Sequence, residues 1–312
     1  MTEKESKSKK VEKEEFKEEY KPFTDKKYTT QEKILMIIGF ILYGFIRLVI
    51  CLLLAIIYTL VLKIASLFTE IEKKRKFMKI WTSIVVRMIL LSLGFWRIDL
   101  IGKDKLRKSI EENIRIYIGN HTSSMDIALS MVLFLPSFAA KKSVQNMFLI
   151  GFLSKVFQSV YIDRTKSNFV VIEEIKKRAK ETEKPPMAIF PEATTTNGEY
   201  LIGFKRGAFN PGTKIQPMIF RYKKGWPFNF IQYEWSLRNG VFHFLDMFCN
   251  LFTTVTVEFL DPYEPNQEEK EDSKLFAENV LKYMSQKSGI PISPANFSHK
   301  IEYAKKIGTS LK

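Results

Sequence analysis

The sequence predicts an α/β fold, a sheet packed by helices on its faces, preceded by a membrane-embedded N-terminal helical segment. Three observations carry this. After Ile98, short β-rich runs alternate with helical stretches, as strands and covering helices do. Between Ile34 and Leu62 lies an unbroken apolar run, ILMIIGFILYGFIRLVICLLLAIIYTLVL. The 312 residues are 46% hydrophobic and 13% aromatic, which is enough for a large buried core.

Taken in order, residues 1–33 hold ten Lys and nine acidic residues and almost no aliphatic ones. Such a stretch buries too little apolar surface to offset its ordering entropy, and a disordered charged tail is expected. It does not read as a secretory signal. The run 34–62 as one helix would be about 43 Å long at ~1.5 Å per residue, more than a bilayer core needs. Arg47 falls in its middle, where a charge is expensive. Lys26, Lys27 and Lys33 precede the run, and Lys73, Lys74, Arg75, Lys76 and Lys79 follow it. Positive flanks on both sides favour a re-entrant hairpin with arms 34–46 and 48–62, or a strongly tilted helix, over a clean span. Residues 77–95, interrupted by Lys79 and Arg87, read as an amphipathic helix at the interface. The membrane-associated part is thus 34–98.

In the remainder, strands are expected at 114–118, 137–140, 160–163, 187–190, 215–220 and 254–260. Helices are expected at 125–134, 148–157, 168–180 and, from a Ser273 cap to Gly289, near the end. A catalytic domain over 99–292 and a C-terminal tail over 293–312 follow.

The charge balance, 49 Lys+Arg against 34 Asp+Glu, leaves +15 and implies an anionic partner. Nucleic acid is set aside: the tail's basic runs are diluted with Glu, and Arg206-Gly207-Ala208-Phe209 lacks the first aromatic of an RNA-binding strand. Cys51 and Cys249 cannot make a disulfide framework, and no Cys/His spacing suits structural zinc.

Four short segments carry chemistry. Gly119-Asn120-His121-Thr122-Ser123-Ser124-Met125-Asp126 follows a strand and enters a helix. Five positions along a helix would put His121 and Asp126 about 140° apart. They meet if His121 lies in the loop and Asp126 in the first turn, with Thr122, Ser123 or Ser124 as cap. The carboxylate then fixes the imidazole tautomer and leaves Nε2 as a base; a capping histidine in a polar loop is the plainer alternative. Tyr161-Ile162-Asp163-Arg164 places a guanidinium at a strand exit. Phe190-Pro191-Glu192-Ala193-Thr194-Thr195-Thr196-Asn197-Gly198 offers backbone and hydroxyl donors to an oxygen-rich ligand. Last come Gly203 to Phe209, with Lys205, and then Gln216-Pro217-Met218.

In this order the four blocks resemble the PlsC-like glycerolipid acyltransferase superfamily, and the Thr194-to-Phe209 stretch is similar to its lysophosphatidylcholine acyltransferase branch. The likeness covers roughly residues 80–290, about two thirds of the chain. It implies a glycerolipid-acyltransferase-type mixed sheet and transfer from acyl-CoA, a substrate and not a cofactor, to a lysophospholipid hydroxyl. His121 would be the base and Asp126 its orienting partner, with no metal or cofactor. Arg164, Glu192, Thr194, Thr195 and Lys205 match acceptor- and phosphate-binding positions, and Lys141 an acyl-CoA position. The implied setting is a membrane, the endoplasmic reticulum with its active site facing the cytosol.

Two departures from the family pattern matter. Ala193 stands where Gly is usual, a strain of about 1 kcal/mol if φ is positive there. Thr195 replaces an arginine found in relatives that acylate lysophosphatidic acid, which favours a diester headgroup. Acylation of lysophosphatidate or glycerol 3-phosphate, and a catalytically silent lipid- or acyl-CoA-binding protein, remain the alternatives.

Overall fold

The computed structural model describes residues 17–65, 71–147, 150–162 and 169–309. Its helices are α1 (Thr30–Ala65), α2 (Ile71–Ser92), α3 (Lys103–Glu111), α4 (Met125–Phe134), α5 (Ile150–Val156), α6 (Phe169–Lys180), α7 (Gly240–Met247), α8 (Gln267–Glu271), α9 (Ser273–Ser288) and α10 (Phe297–Lys306). The strands are β1 (Phe95–Ile101), β2 (Ile116–Gly119), β3 (Ser137–Lys141), β4 (Val160–Ile162), β5 (Met187–Ile189), β6 (Ile215–Tyr222) and β7 (Thr253–Phe259).

The strands form one mixed sheet in the order β1-β7-β6-β2-β5-β3-β4. Every pairing is parallel except β6 with β7. Parallel neighbours end on the same edge, so the segments leaving β2, β3, β5 and β6 gather there. Register does the fine work: Ile118 lies opposite both Ile189 and Pro217, which sets His121 beside Glu192. Proline inside a sheet lacks a ladder donor. Pro217 is tolerated because β7 has just ended beside it, and the Gln216 side chain donates to the Leu260 carbonyl at 2.6 Å.

One core fills the face under α1, α2 and α4, with Leu129, Phe95, Tyr117 and Val257 at its centre. The other face is closed by α6 and α9 through Ile175, Phe276 and Val280.

The N-terminal membrane segment differs from the hairpin expectation. α1 is one continuous helix of 36 residues, long and apolar enough to cross a membrane. It starts four residues before Ile34 because Thr29 and Glu32 form a reciprocal capping box. The wider π-turn at Phe40–Gly44 absorbs the irregularity without a break. Arg47 does not break it either. Its guanidinium donates to the carbonyls of Phe248 (3.3 Å) and Asn250, just past the end of α7, and of Leu91 (3.4 Å) in the last turn of α2, where carbonyls lack helical partners. Antiparallel α2 packs on α1 and leaves Phe77, Ile80, Ile84 and Met88 exposed at helical spacing.

Both expected tails are corrected where the structure describes them. Residues 17–29 are ordered: Tyr20 and Phe23 are buried, and Phe23 packs with Ile202, Leu237, Ala295 and Ala304. The aromatic residues of this charged stretch supply the apolar surface that its aliphatic count concealed. At the other end α10 is a capped helix, begun by Asn296, whose Tyr303 stacks on Tyr20 at 4.9 Å. Residues 1–16 of the expected tail lie outside the described residues. Strand β1 was read as the end of an interfacial helix. It moves the start of the sheet ahead of residue 99, and its outward Arg97 and Asp99 bond each other at 2.5 Å.

Candidate active site

The loop between β2 and α4 is built around Asp126, which is completely buried. One carboxylate oxygen accepts from His121 Nδ1 (2.9 Å), Thr122 N (2.8 Å) and Ser123 N (3.0 Å). The other accepts from the Tyr222 hydroxyl at 2.5 Å. From the first turn Asp126 thus holds the two N–H groups that precede its helix; of the side chains expected as cap, Ser124 stands at the N-cap without a capping bond, while Ser123 Oγ accepts from Met125 N at 3.4 Å. Asn120 ties the same loop to β6, exchanging two hydrogen bonds with the Phe220 backbone (2.8 and 3.1 Å).

The imidazole is fixed from three sides. Its ring stacks on Phe190 at 4.3 Å. The His121 N–H donates to Glu192 Oε2 (2.9 Å), and its carbonyl accepts from Thr196 N (2.9 Å). With Nδ1 donating to Asp126, the tautomer leaves Nε2 as the acceptor. The side chain keeps 17% of its surface open, enough for a substrate hydroxyl to reach it.

Glu192 is fully buried. It also accepts from Ile202 N at 3.4 Å, so it joins two loops rather than touching an acceptor directly. Burial pushes its carboxyl up to about 8, against the two backbone donors. Ala193 has φ +58°, the left-handed conformation that the usual glycine adopts without strain. Thr194 is half-buried, while Thr195 is buried with its carbonyl and hydroxyl toward Lys300 Nζ (2.7 and 3.4 Å). A cation thus stands beside the position where an arginine was missing. It is only 2% exposed, held down by its bond to the loop, and so not presented to an acceptor. Burial lowers the Lys300 pKa to about 8.

Lys205 is exposed, its backbone anchored to the Pro191 carbonyl at 2.8 Å. Lys141 ends β3 on the same sheet edge, opposite Ile162. Arg164 lies outside the described residues. Neither Tyr222, 96 positions from Asp126, nor Lys300 was legible in the sequence. It offered no sign either of the N-terminal strap, where Asp25 accepts from Ser236, Leu237 and Arg238 N–H, and Pro22 and Lys21 carbonyls accept from Asn197. Among the described residues no three His, Cys, Asp or Glu side chains gather as a metal site.

Two cavities flank this arrangement. One, about 870 Å³, opens at the far edge of the sheet, lined by Leu62, Met78, Tyr117, Phe134 and Phe157 with Lys76, Lys79 and Lys155 around it. The other, about 420 Å³, lies between the strap and residues 197–199, 222–224 and 229–234, and shares Tyr222 with the Asp126 cluster.

Residues 97–221, which hold the His121–Asp126 pair and most of the sheet, match the family model described as Acyltransferase, so this stretch carries an acyltransferase domain. Among curated proteins it is similar to lysophospholipid acyltransferase LPEAT1 of Arabidopsis thaliana, 36% identical over 193 residues, 60% of this chain and 48% of that one. It is 34% identical over 217 residues to lysophosphatidylcholine acyltransferase 1 of Danio rerio, 68% of this chain and 41% of the relative. To human lysophosphatidylcholine acyltransferase 2 it is 33% identical over 225 residues, 70% and 40%. The chain spans less than half the length of these relatives. Among solved structures, the 1-acyl-sn-glycerophosphate acyltransferase PlsC of Thermotoga maritima aligns with TM-score 0.49 and 17% identity, covering 77% of this chain and 98% of that one.

Proposed function

We propose that this protein transfers an acyl group from acyl-CoA to a free hydroxyl of a lysophospholipid, at a membrane surface. The single observation that supports it is the His121–Asp126 contact at 2.9 Å, locked by Tyr222 and by the 190–197 loop. The acceptor O–H yields its proton to His121 Nε2 as its oxygen attacks the thioester carbonyl, forming the new C–O bond. Collapse of the tetrahedral adduct breaks the C–S bond, and the imidazolium returns the proton to the coenzyme A thiolate. No covalent acyl-enzyme is formed. Asp126 stabilises the transient imidazolium and fixes the ring.

Arg164, Lys141 and Lys205 supply positive charge for phosphate groups of acceptor and donor at this edge, and Glu192 with Thr194 and Thr195 shapes the loop beside the base. Residues 30–92 are the membrane-associated unit, and the sheet domain follows from residue 95. The active site faces the cytosol, where acyl-CoA is made, on the endoplasmic reticulum. In support, the side chain of Asn120, part of a glycosylation sequon, is enclosed against β6, and Asn296, part of another, caps α10.

The test is transfer by the detergent-solubilised protein from labelled acyl-CoA to a panel of lysolipids, wild type beside His121→Ala. Transfer to a choline or ethanolamine lysolipid, lost in the variant, is the expected result. Preference for lysophosphatidate would replace this reading with phosphomonoester acylation; no transfer at all would leave a binding protein.

A further inference from the structure

The smaller cavity has an unbalanced charge inventory. Of the acids lining it, Asp25 is fully engaged, accepting three backbone N–H groups from Ser236, Leu237 and Arg238. Of the lysines, Lys26 pairs with Glu32 at 2.8 Å and Lys223 with Asp99 at 3.1 Å. That leaves Glu199 and Glu234 on one wall and Lys224 at the rim. Among the described residues no Lys or Arg pairs with either glutamate. Glu234 is largely enclosed, packed beside Gly198 and Thr122, while Trp235 N donates to the Thr122 carbonyl at 2.7 Å. Burial, Asp126 and Glu199 push its carboxyl up to about 7, offset by the backbone N–H groups of Glu234 and Tyr233. Glu199 is exposed and Glu234 half-buried, and two carboxylates facing one open cavity repel each other until a cation enters. The ring of Phe230 lines the same space and already faces one cation, Lys26 Nζ, at 5.1 Å.

We propose that this cavity binds the organic ammonium end of a zwitterionic acceptor headgroup, with Glu234 and Glu199 as its counter-charges, Phe230 as a ring face and Lys224 toward the phosphodiester. The inference rests on the acyl-transfer reading and assigns it a specificity determinant. Its location fits the chemistry. Tyr222 lines the cavity and bonds Asp126 at 2.5 Å, so one side chain separates the cavity from the carboxylate that orients the base, and a lysolipid carries its headgroup a few bonds from its free hydroxyl. An ammonium between partly desolvated carboxylates and an aromatic face is held by both Coulomb attraction and the ring quadrupole.

The test measures kcat and KM separately for choline, ethanolamine and glycerol lysolipids. Glu234→Gln should raise KM for the two ammonium acceptors by roughly tenfold with kcat within about twofold, and leave the glycerol headgroup unaffected. Glu234→Lys should favour the anionic glycerol lysolipid. Phe230→Ala separates the two ammonium sources, weakening the quaternary choline more than the primary ethanolamine. Equal loss on all three headgroups, or no change in KM, overturns the proposal.

A second readout keeps the two readings apart. Binding of a choline-headed ether lipid without a free hydroxyl is measured on the full chain and on Glu234→Gln. Weaker binding in the variant, with no acceptor acylated by either protein, would support the cavity and sink the transferase reading. Equal binding would sink the cavity whatever the activity.

Discussion

Lys300 Nζ donates to the Thr195 carbonyl at 2.7 Å, so the last helix of the described chain holds the loop that in turn holds His121. The lysine lies over the Phe23 ring, 5.8 Å from its centroid, and near Asp25 and Glu192. A buried ammonium at the back of an active-site loop has consequences for both stability and rate.

For stability, its pKa of about 8 in the folded chain lies below the ordinary 10.5. Between these values the unfolded chain binds more protons, so this group makes the protein more stable as pH rises from 8 to 10.5. Lys300→Met removes that dependence. Urea unfolding of both proteins at pH 8 and pH 10 should show the wild type gaining on the variant by on the order of 2 kcal/mol. Equal slopes would show that the lysine is solvated.

Glu192 acts with the opposite sign in a lower window. Its carboxyl titrates at about 8 folded against 4.5 unfolded, so the folded chain holds the extra proton and loses stability as pH rises from 4.5 to 8. Glu192→Gln keeps the acceptor for His121 N–H and removes the titration. The variant's stability relative to wild type should climb across that window by on the order of 3 kcal/mol, read from thermal unfolding against pH. A flat difference would contradict the burial seen for this group.

Ala193 gives the simplest experiment. At φ +58° an alanine is strained and a glycine is not. Ala193→Gly should stabilise the protein by about 0.5–1 kcal/mol, the strain relieved being partly offset by the freer unfolded chain. Ala193→Val should cost more than 1 kcal/mol, since branching worsens the same clash. A glycine variant that melts earlier than wild type would show that the methyl group is a packing contact worth more than the strain.

The Tyr222 hydroxyl is a positioning group, acting on the base through Asp126. Tyr222→Phe should lower kcat roughly tenfold to a hundredfold with KM little changed, the usual range for a group that orients another. Asp126→Asn should lower it by about a thousandfold or more. If Tyr222→Phe instead altered only KM, its hydroxyl would belong to substrate binding.

The legibility of this protein in its sequence follows from distance along the chain. His121 and Asp126 are five positions apart between a strand and a helix, so one local pattern carries both residues and the loop geometry. Glu192 was visible through its motif, but its role as a bridge between His121 and Ile202 depends on the β2–β5 register, which no local pattern encodes. Tyr222 fell just past the strand expected over 215–220, and only the parallel pairing of β6 with β2 brings it to Asp126. Lys300 fell within the C-terminal tail expected over 293–312. It is buried because Phe23, Ile202 and Ala295 close around α10, a contact between the two ends of the chain. Arg47 argued for a break in a helix that runs straight through it, since composition shows the charge but not the carbonyls waiting for it.

Those carbonyls also decide how the molecule meets lipid. Gly39 and Gly44 lie against Phe228 and the Phe248 carbonyl, Arg47 is fastened just beyond, and Cys51, Tyr58 and Leu62 are covered further along. Protein therefore lines one side of α1 from its first third to its end, while Ile41, Leu42, Leu53 and Ile64 remain uncovered on the other. An end-on insertion of this helix would drag the polar sheet domain with it. On the proposed function, the boundary between lipid and water runs lengthwise along α1 rather than across it, and the proposed lysolipid acceptor, lying in the same leaflet, approaches without leaving the membrane plane.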